Sequence, residues 1–462
     1  MTNKTTHNFK MLQNKRFEYL LTVVLCAPLV LSAWRKLMPG MLAQYEALEY
    51  ALVLLLFIYS LFLNRGSRPL HPLSLIAIVT LIACYTFSLL ISFQYGTKFV
   101  AVTFITRMVP LMMIFVATKP VNLEYVLYRV TIFYSLGVGI MIPFGLYGII
   151  AGQEALPTLM APTELFIEAG KNNRGGTSVF FGIFFSNVIA SWTYFSFGVL
   201  CLFMIEKSFE RQKAVSKIYA IGFFMALIMV LLCTKRLTII LLFSLGVLTG
   251  FRLMGKRKGI RIILFSGLLF FVSLGVLYLV DKESVEIDLF SAFTELISGA
   301  GASYLFEMIN MTNTVIFKFL DRSWFGSGLG IAGPEGRYMM PHLNASFGFV
   351  ESGLPLWIIE MGLFSTLLSV SSLVIFIVLY MLLWSSSNRI LSLFIFFIAT
   401  TFLLKECTTL CGPYFSIILF WYFIGFLGTE VHPKIRARTG RIKRKPRFSM
   451  MSSQNPKPFY PR

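Results

Sequence analysis

The sequence predicts an all-α polytopic membrane protein, with about 12 transmembrane helices and one large outer loop between the ninth and tenth spans. Three observations predict it. Only 13% of the residues are charged and 56% are hydrophobic, whereas soluble domains carry about 25% charged residues. Apolar runs of about 20 residues recur along the chain, the length an α-helix needs to cross the hydrocarbon core of a bilayer. Lysine and arginine cluster in alternate loops, as they do in a chain that threads back and forth. No alternating ten-residue pattern of a β-barrel is present.

Taken in order, the apolar runs place spans at roughly 20–34, 47–63, 72–93, 99–117, 125–150 and 178–205, and then at roughly 218–234, 237–251, 262–280, 354–384, 390–404 and 414–428. The first follows Lys10, Lys15 and Arg16 but precedes no small-residue cleavage site, so an uncleaved helix is expected. Two connections exceed turn length. One, about 151–176, holds Glu154, Glu164, Glu168, Lys171 and Arg174; the other, about 281–352, is long enough to fold over the outer face. Within the second, Phe290–Ile297 and Ala302–Phe319 read as amphipathic helices. Residues 1–428 form one membrane domain, and 429–462 form a basic tail expected to be disordered. No internal repeat divides the chain into two related halves.

Charge orients the spans. With the N-terminus inside, the inner segments hold 27 lysines and arginines against 5 acidic residues, and the outer segments hold 12 against 16. This bias places both termini on the cytoplasmic side. The net charge of +20 is therefore a feature of topology, not a nucleic-acid signature; the tail alone holds ten basic residues against Glu430. Its RARTGRIKRKPRF run suits attraction to anionic membrane lipids, though a plain topology-fixing tail explains it as well. Cys26, Cys84, Cys201 and Cys233 fall within spans and read as small apolar packing residues. Cys407 and Cys411 share a short outer loop, where an oxidising compartment would allow a disulfide that the spacing alone does not decide.

Chemistry concentrates on the outer side. Arg174 precedes the sixth span, Lys235 and Arg236 make the turn between the seventh and eighth, and His342 lies in the glycine-rich island that begins at Trp324. A guanidinium offers a fixed fork of donors matching phosphate oxygens, so these basic groups are candidates for a substrate diphosphate. Snorkelling to the interface is the bland alternative, but a Lys-Arg pair on the outer face runs against the positive-inside bias. His342 has the side chain suited to proton transfer near neutrality, with Glu351 and Glu360 as alternative carboxylates near the outer rim. The GSGLGIAG run follows no strand and lacks the lysine of a nucleotide-binding loop. Arg107, near the middle of the fourth span, must face an ionic partner or a substrate path, and Arg337 is a further candidate for such a path. Arg129 lies close enough to the inner face to snorkel. The outer loops hold no Asp-x-Asp pair or carboxylate cluster, so no metal or cofactor is expected.

Four segments carry a family resemblance: RGGTSVFFGIFFSNVIAS, CTKRLTIILLFSLGVL, WFGSGLG and HLNASFGFVESGL. In order and common outer location they resemble the O-antigen polymerase and O-antigen ligase superfamily of bacterial inner-membrane glycosyltransferases. Arg236 stands at the family arginine. Asn344 is two residues after His342 where the family commonly has it adjacent, and Tyr304–Leu320 lacks the arginine expected there, with Glu307 and Lys318 instead.

The resemblance implies transfer of a glycan from undecaprenyl diphosphate to an acceptor hydroxyl at the periplasmic face. Arg174, Arg236 and Lys235 would hold the diphosphate, and His342, with Glu351, would handle the acceptor hydroxyl. It favours a polymerase that extends another lipid-linked repeat, with a chain-length regulator as a candidate partner. A ligase delivering the glycan to lipid A-core is the alternative. From another class, a lipid-linked oligosaccharide flippase would need charged residues at the midplane of many helices, where the sequence offers Arg107 alone.

Overall fold

The computed structural model describes residues 2–37, 42–63, 67–151, 156–157, 182–184, 187–211, 216–233, 236–253, 324–346, 353–381, 388–404 and 414–443. Among them every regular element is helical. We number these helices α1 (Thr2–Leu37), α2 (Leu42–Phe62), α3 (Pro72–Ile91), α4 (Thr97–Met108), α5 (Met113–Val116), α6 (Leu123–Ala151) and α7 (Asn187–Glu210). They continue as α8 (Lys217–Leu232), α9 (Arg236–Leu253), α10 (Pro334–Met339), α11 (Pro341–Ser346), α12 (Gly353–Met381), α13 (Arg389–Leu404) and α14 (Phe415–Lys443). Six helical stretches have the length and apolar composition to cross a bilayer, in α1, α3, α4 with α5, α6, α7 and α12. Five shorter apolar helices lie in α2, α8, α9, α13 and α14. Every span expected from sequence overlaps one of these except the ninth, about 262–280, which lies outside the described residues. So do residues 281–323, the loop helices expected at Phe290–Ile297 and Ala302–Phe319, and Cys407 and Cys411. The last helix continues through Lys443, into the stretch assigned from sequence to the tail.

The breaks between helices have local causes. Pro72 opens α3 at the position where its missing amide costs nothing. Gly96, at φ 96°, separates the turn after α3 from the start of α4. Pro110 interrupts α4 and tightens the chain into a 3-10 turn before α5. Gly362, at φ 78° and ψ 168°, kinks α12 two turns from its start.

Helix α7 lies at the centre, almost wholly enclosed by protein. Its neighbours are α6, α8, α9, α13 and α14. Small residues permit this crowding: a Cβ on Gly198 would lie 2.8 Å from Leu242 and 3.1 Å from Ala226, and one on Gly222 would lie 2.8 Å from the Cys201 sulfur. Lipid tails are as apolar as leucine, so close backbone approach supplies helix association that hydrophobicity alone does not. Phe415 and Tyr134 stack with ring centroids 4.3 Å apart, joining α14 to α6. The outward faces of α3 and α12 carry exposed Ile76, Val79, Leu90, Phe364, Leu367 and Val378, a surface suited to lipid tails. Cys26, Cys84, Cys201 and Cys233 are buried, as expected of small apolar residues.

Ion pairs tie the helix ends. Arg35 of α1 faces Glu49 of α2 at 3.7 Å, and Lys36 Nζ donates to the Gly182 carbonyl at 2.6 Å. At the other end of α7, Arg389 Nε donates to Glu206 Oε1 at 3.0 Å. Arg129 lies between the rings of Tyr19 and Tyr125, about 4 Å from each centroid, where the sequence alone suggested a snorkelling side chain.

Candidate functional site

Residues 326–336 of the glycine-rich island dock against the end of α3, α4 and the first part of α12. Irregular backbone among apolar helices is tolerated only where its polar groups find protein partners. Those partners exist because two helices are interrupted at the right depth. The kink at Gly362 removes helical amides from the preceding turn, leaving the Ile359 and Glu360 carbonyls open. Ser327 N–H donates to the Ile359 carbonyl at 2.8 Å, and Gly328 N–H to the Glu360 carbonyl at 3.0 Å. The end of α3 supplies the rest. Leu329 N–H donates to the Ser88 carbonyl at 3.2 Å, Ser92 Oγ to the Leu329 carbonyl at 3.0 Å, and Ser88 Oγ to the Glu360 carbonyl at 2.8 Å. Gln94 Nε2 and Tyr95 Oη both donate to the Ser327 carbonyl, at 3.0 and 2.7 Å.

Glycine is required where this backbone crosses its neighbours. Gly326 has φ 84°, and a Cβ there would sit 2.5 Å from the Glu360 carbonyl oxygen. Gly330 has φ 85°, and its Cβ would meet Thr103 Oγ1 at 2.8 Å. L side chains fail at both positions, on conformation and on space.

Docking delivers Glu335, at the start of α10, to Arg107 of α4. Arg107 Nε donates to Glu335 Oε1 at 3.1 Å and Nη2 to Oε2 at 2.9 Å, a two-pronged pair that Thr106 Oγ1 extends by donating to Oε1 at 2.6 Å. The same Nη2 stands 3.6 Å from Oε1 of Glu360 on α12. Arg107 is 2% exposed and Glu360 0%. Burial by itself would raise the Glu335 carboxyl, but the Arg107 charge and the hydrogen bonds from Arg107 and Thr106 outweigh it, holding it below the usual carboxylate range. Among the described residues, two carboxylates thus face one guanidinium.

Beyond the cluster the chain turns through α11. His342 is exposed on this helix. Asn344, on the same short helix, donates from Nδ2 to the Ile331 carbonyl at 2.9 Å and to the Gly333 carbonyl at 3.4 Å. The histidine is therefore carried by an element bonded to the docked island.

The residues singled out from sequence separate as follows. Arg107 is enclosed by the cluster, with Glu360, named from sequence only as an alternative carboxylate, beside it. His342 lies at the rim of the docked island. Arg236 is the first residue of α9 and Arg337 lies in α10, but the side chains of both are outside the described residues. Arg174, Lys235 and Glu351 are also outside them. Sequence reasoning missed Glu335, Thr106, Ser88 and Ser92. The signal for Glu335 was available, since a mid-span arginine demands an acidic partner and the island holds a glutamate between two glycines. Nothing in the spacing marked Ser88 or Ser92, whose role depends on where α3 ends. Arg107 is also not a lone buried charge, because Glu335 and Glu360 lie beside it. No family model and no curated protein matches this chain.

Proposed function

We propose that this chain is a membrane glycosyltransferase of the bacterial inner membrane. It crosses the membrane twelve times with both termini cytoplasmic, and it polymerises lipid-linked glycan repeats at the periplasmic face. The observation that carries the reading is the docked glycine-rich island, which holds His342 in an exposed position on a segment anchored through Glu335 to Arg107. A preorganised polar segment at the end of an apolar helix bundle suits a reaction between a lipid-anchored donor and a water-exposed acceptor.

In this reading the acceptor hydroxyl oxygen attacks the anomeric carbon of the donor sugar. The bond from that carbon to the phosphate oxygen breaks with inversion, and undecaprenyl diphosphate departs with the bonding electrons. Arg174, Arg236 and Lys235 stabilise the charge that develops on the departing diphosphate. His342 accepts the acceptor proton or orients the hydroxyl, with Glu351 as the alternative base. Arg107 and Glu335 touch no reacting atom and act as positioning residues for the island. Transfer to lipid A-core would make the same chemistry a ligase.

One observation favours a second reading. Arg107, Glu335 and Glu360 form a buried ionisable cluster among the helices, and such groups also mark transport paths. A flippase for the same lipid-linked oligosaccharide is the alternative from that class.

The deciding experiment places purified protein in lipid nanodiscs with undecaprenyl-diphosphate-linked oligosaccharide and resolves products by mass. A ladder of lipid-linked repeats that falls at least about 100-fold in Arg236→Ala and His342→Ala is expected. Product only after lipid A-core is added would make the chain a ligase. Folded protein giving no product with either acceptor would overturn the enzyme reading and leave transport.

A further inference from the structure

We propose that Arg129, Tyr19 and Tyr125 form a headgroup site for an anionic phospholipid whose acyl chains lie along the seam between α1 and α6. The inference is separate from the glycosyl-transfer reading and needs only that these two helices cross a bilayer.

Three contacts build the seam. Arg129 of α6 donates to the Tyr19 hydroxyl of α1 at 2.9 Å, and Tyr134 Oη donates to the Leu25 carbonyl at 3.2 Å. Further along, a Cβ on Gly137 would lie 2.6 Å from Leu29 Cδ2. Residue numbers rise together along both helices, so α1 and α6 run side by side in the same direction. Beyond the arginine their exposed side is apolar: Val23 and Val30 follow Tyr19 on α1, and Phe133, Leu136 and Ile140 follow Arg129 on α6. These positions recur at helical spacing and make two adjoining stripes. From Tyr19 to Val30 the stripe runs about 16 Å at about 1.5 Å per residue. That is roughly half of a hydrocarbon core about 30 Å thick, the depth of one leaflet.

The head of the seam is cationic in an unusual way. Among the described residues, Arg35, Arg68, Arg107, Arg211 and Arg389 each face a carboxylate at 3.7 Å or less. Arg129 faces two tyrosine rings instead, and its Nη2 donates to both of their hydroxyls. The nearby acidic groups are engaged elsewhere. Glu18 Oε1 accepts from the Asn122 amide at 2.9 Å, and Glu124 Oε2 accepts from Arg211 Nη1 at 2.6 Å.

A tyrosine hydroxyl that accepts a hydrogen bond keeps its own proton to donate. Tyr19 and Tyr125 are both exposed, so they present two O–H donors backed by one guanidinium. A lipid phosphate accepts from both hydroxyls while the guanidinium balances its charge. Lys15, exposed one turn before Tyr19, adds a second cation on the same face of α1. By the charge bias this end of the helices is cytoplasmic, where anionic lipids gather around basic groups at helix ends. A zwitterionic headgroup would bring a further cation to a site that already holds two, so an anionic headgroup fits better. A soluble phosphate shares the headgroup chemistry but leaves the apolar stripes bare.

The test is native mass spectrometry of the full chain, titrated with phosphatidylglycerol, with phosphatidylcholine of the same acyl chains, and with inorganic phosphate. The wild-type protein is expected to hold one phosphatidylglycerol at least about fivefold more tightly than phosphatidylcholine. An excess of inorganic phosphate is expected not to displace it. Arg129→Gln should weaken phosphatidylglycerol binding about fivefold and bring it close to that of phosphatidylcholine. Tyr19→Phe combined with Tyr125→Phe keeps both rings around the guanidinium, removes the two donors, and should weaken binding by about the same factor. This pair decides the matter if Arg129→Gln does not fold. Equal affinity for the two lipids, displacement by inorganic phosphate, or wild-type affinity in either folded variant overturns the proposal and leaves Arg129 only fastening α1 to α6.

Discussion

Removing the Arg107 guanidinium would take from Glu335 and Glu360 the cation that both of them face. Breaking one side of a buried pair costs about 3–5 kcal/mol, because the surviving charge stays buried. We therefore expect Arg107→Ala to lower the thermal unfolding temperature in detergent strongly. Arg107→Lys should recover only part of the loss, since an ammonium cannot span both Glu335 oxygens. Pairing Arg107→Ala with Glu335→Gln should cost less than the two effects added, as expected for residues in one ion pair. The sign of the pH effect at Glu335 follows from its depressed carboxyl. Its contribution is present above the ordinary carboxylate range and is lost as pH falls through the lowered value. Alanine in place of Arg107 would remove this acid-side dependence, readable in the same melting experiments.

At the scale of elements, the kink in α12 and the docked island are one device. Gly362 takes a φ of 78° that other residues rarely adopt, and a Cβ there would run into the backbone of Trp324 and Phe325. Gly362→Ala should therefore straighten or strain α12 and expel the island, raising protease cleavage between 324 and 346 well above wild type. An alanine at Gly250, at the far end of α9, serves as the comparison; unchanged cleavage in Gly362→Ala would show that the crossing is not needed. This coupling was only half legible in sequence. The positions of the glycines and of Glu360 stand out as a polar island, but which backbone carbonyls would open to meet it depends on where α3 and α12 break.

For the molecule as a whole, docking puts residues 324–346, the turn at 92–96 and the start of α12 at one end of the helices. Arg68, His71 and Glu430 meet near the other end of α3. Cysteine reporters at Trp324 and at Arg68 should therefore react with impermeant thiol reagents from opposite sides of intact cells. Reaction of both from one side would contradict the charge-based orientation. Composition and the length of the apolar runs determined the helical class and where most of the described apolar helices fall, because backbone in lipid must satisfy itself within each segment. The charge bias determined an expected orientation, and the polar island between the apolar runs was visible as a place for chemistry. Only the tertiary structure decided that this island docks against the helices, that Glu335 is the partner of Arg107, and that Glu360 lies beside the same guanidinium. Those facts depend on residues 228 positions apart in the chain meeting at one depth. The spacing of residues along a single helix carries no record of which distant backbone will lie against it.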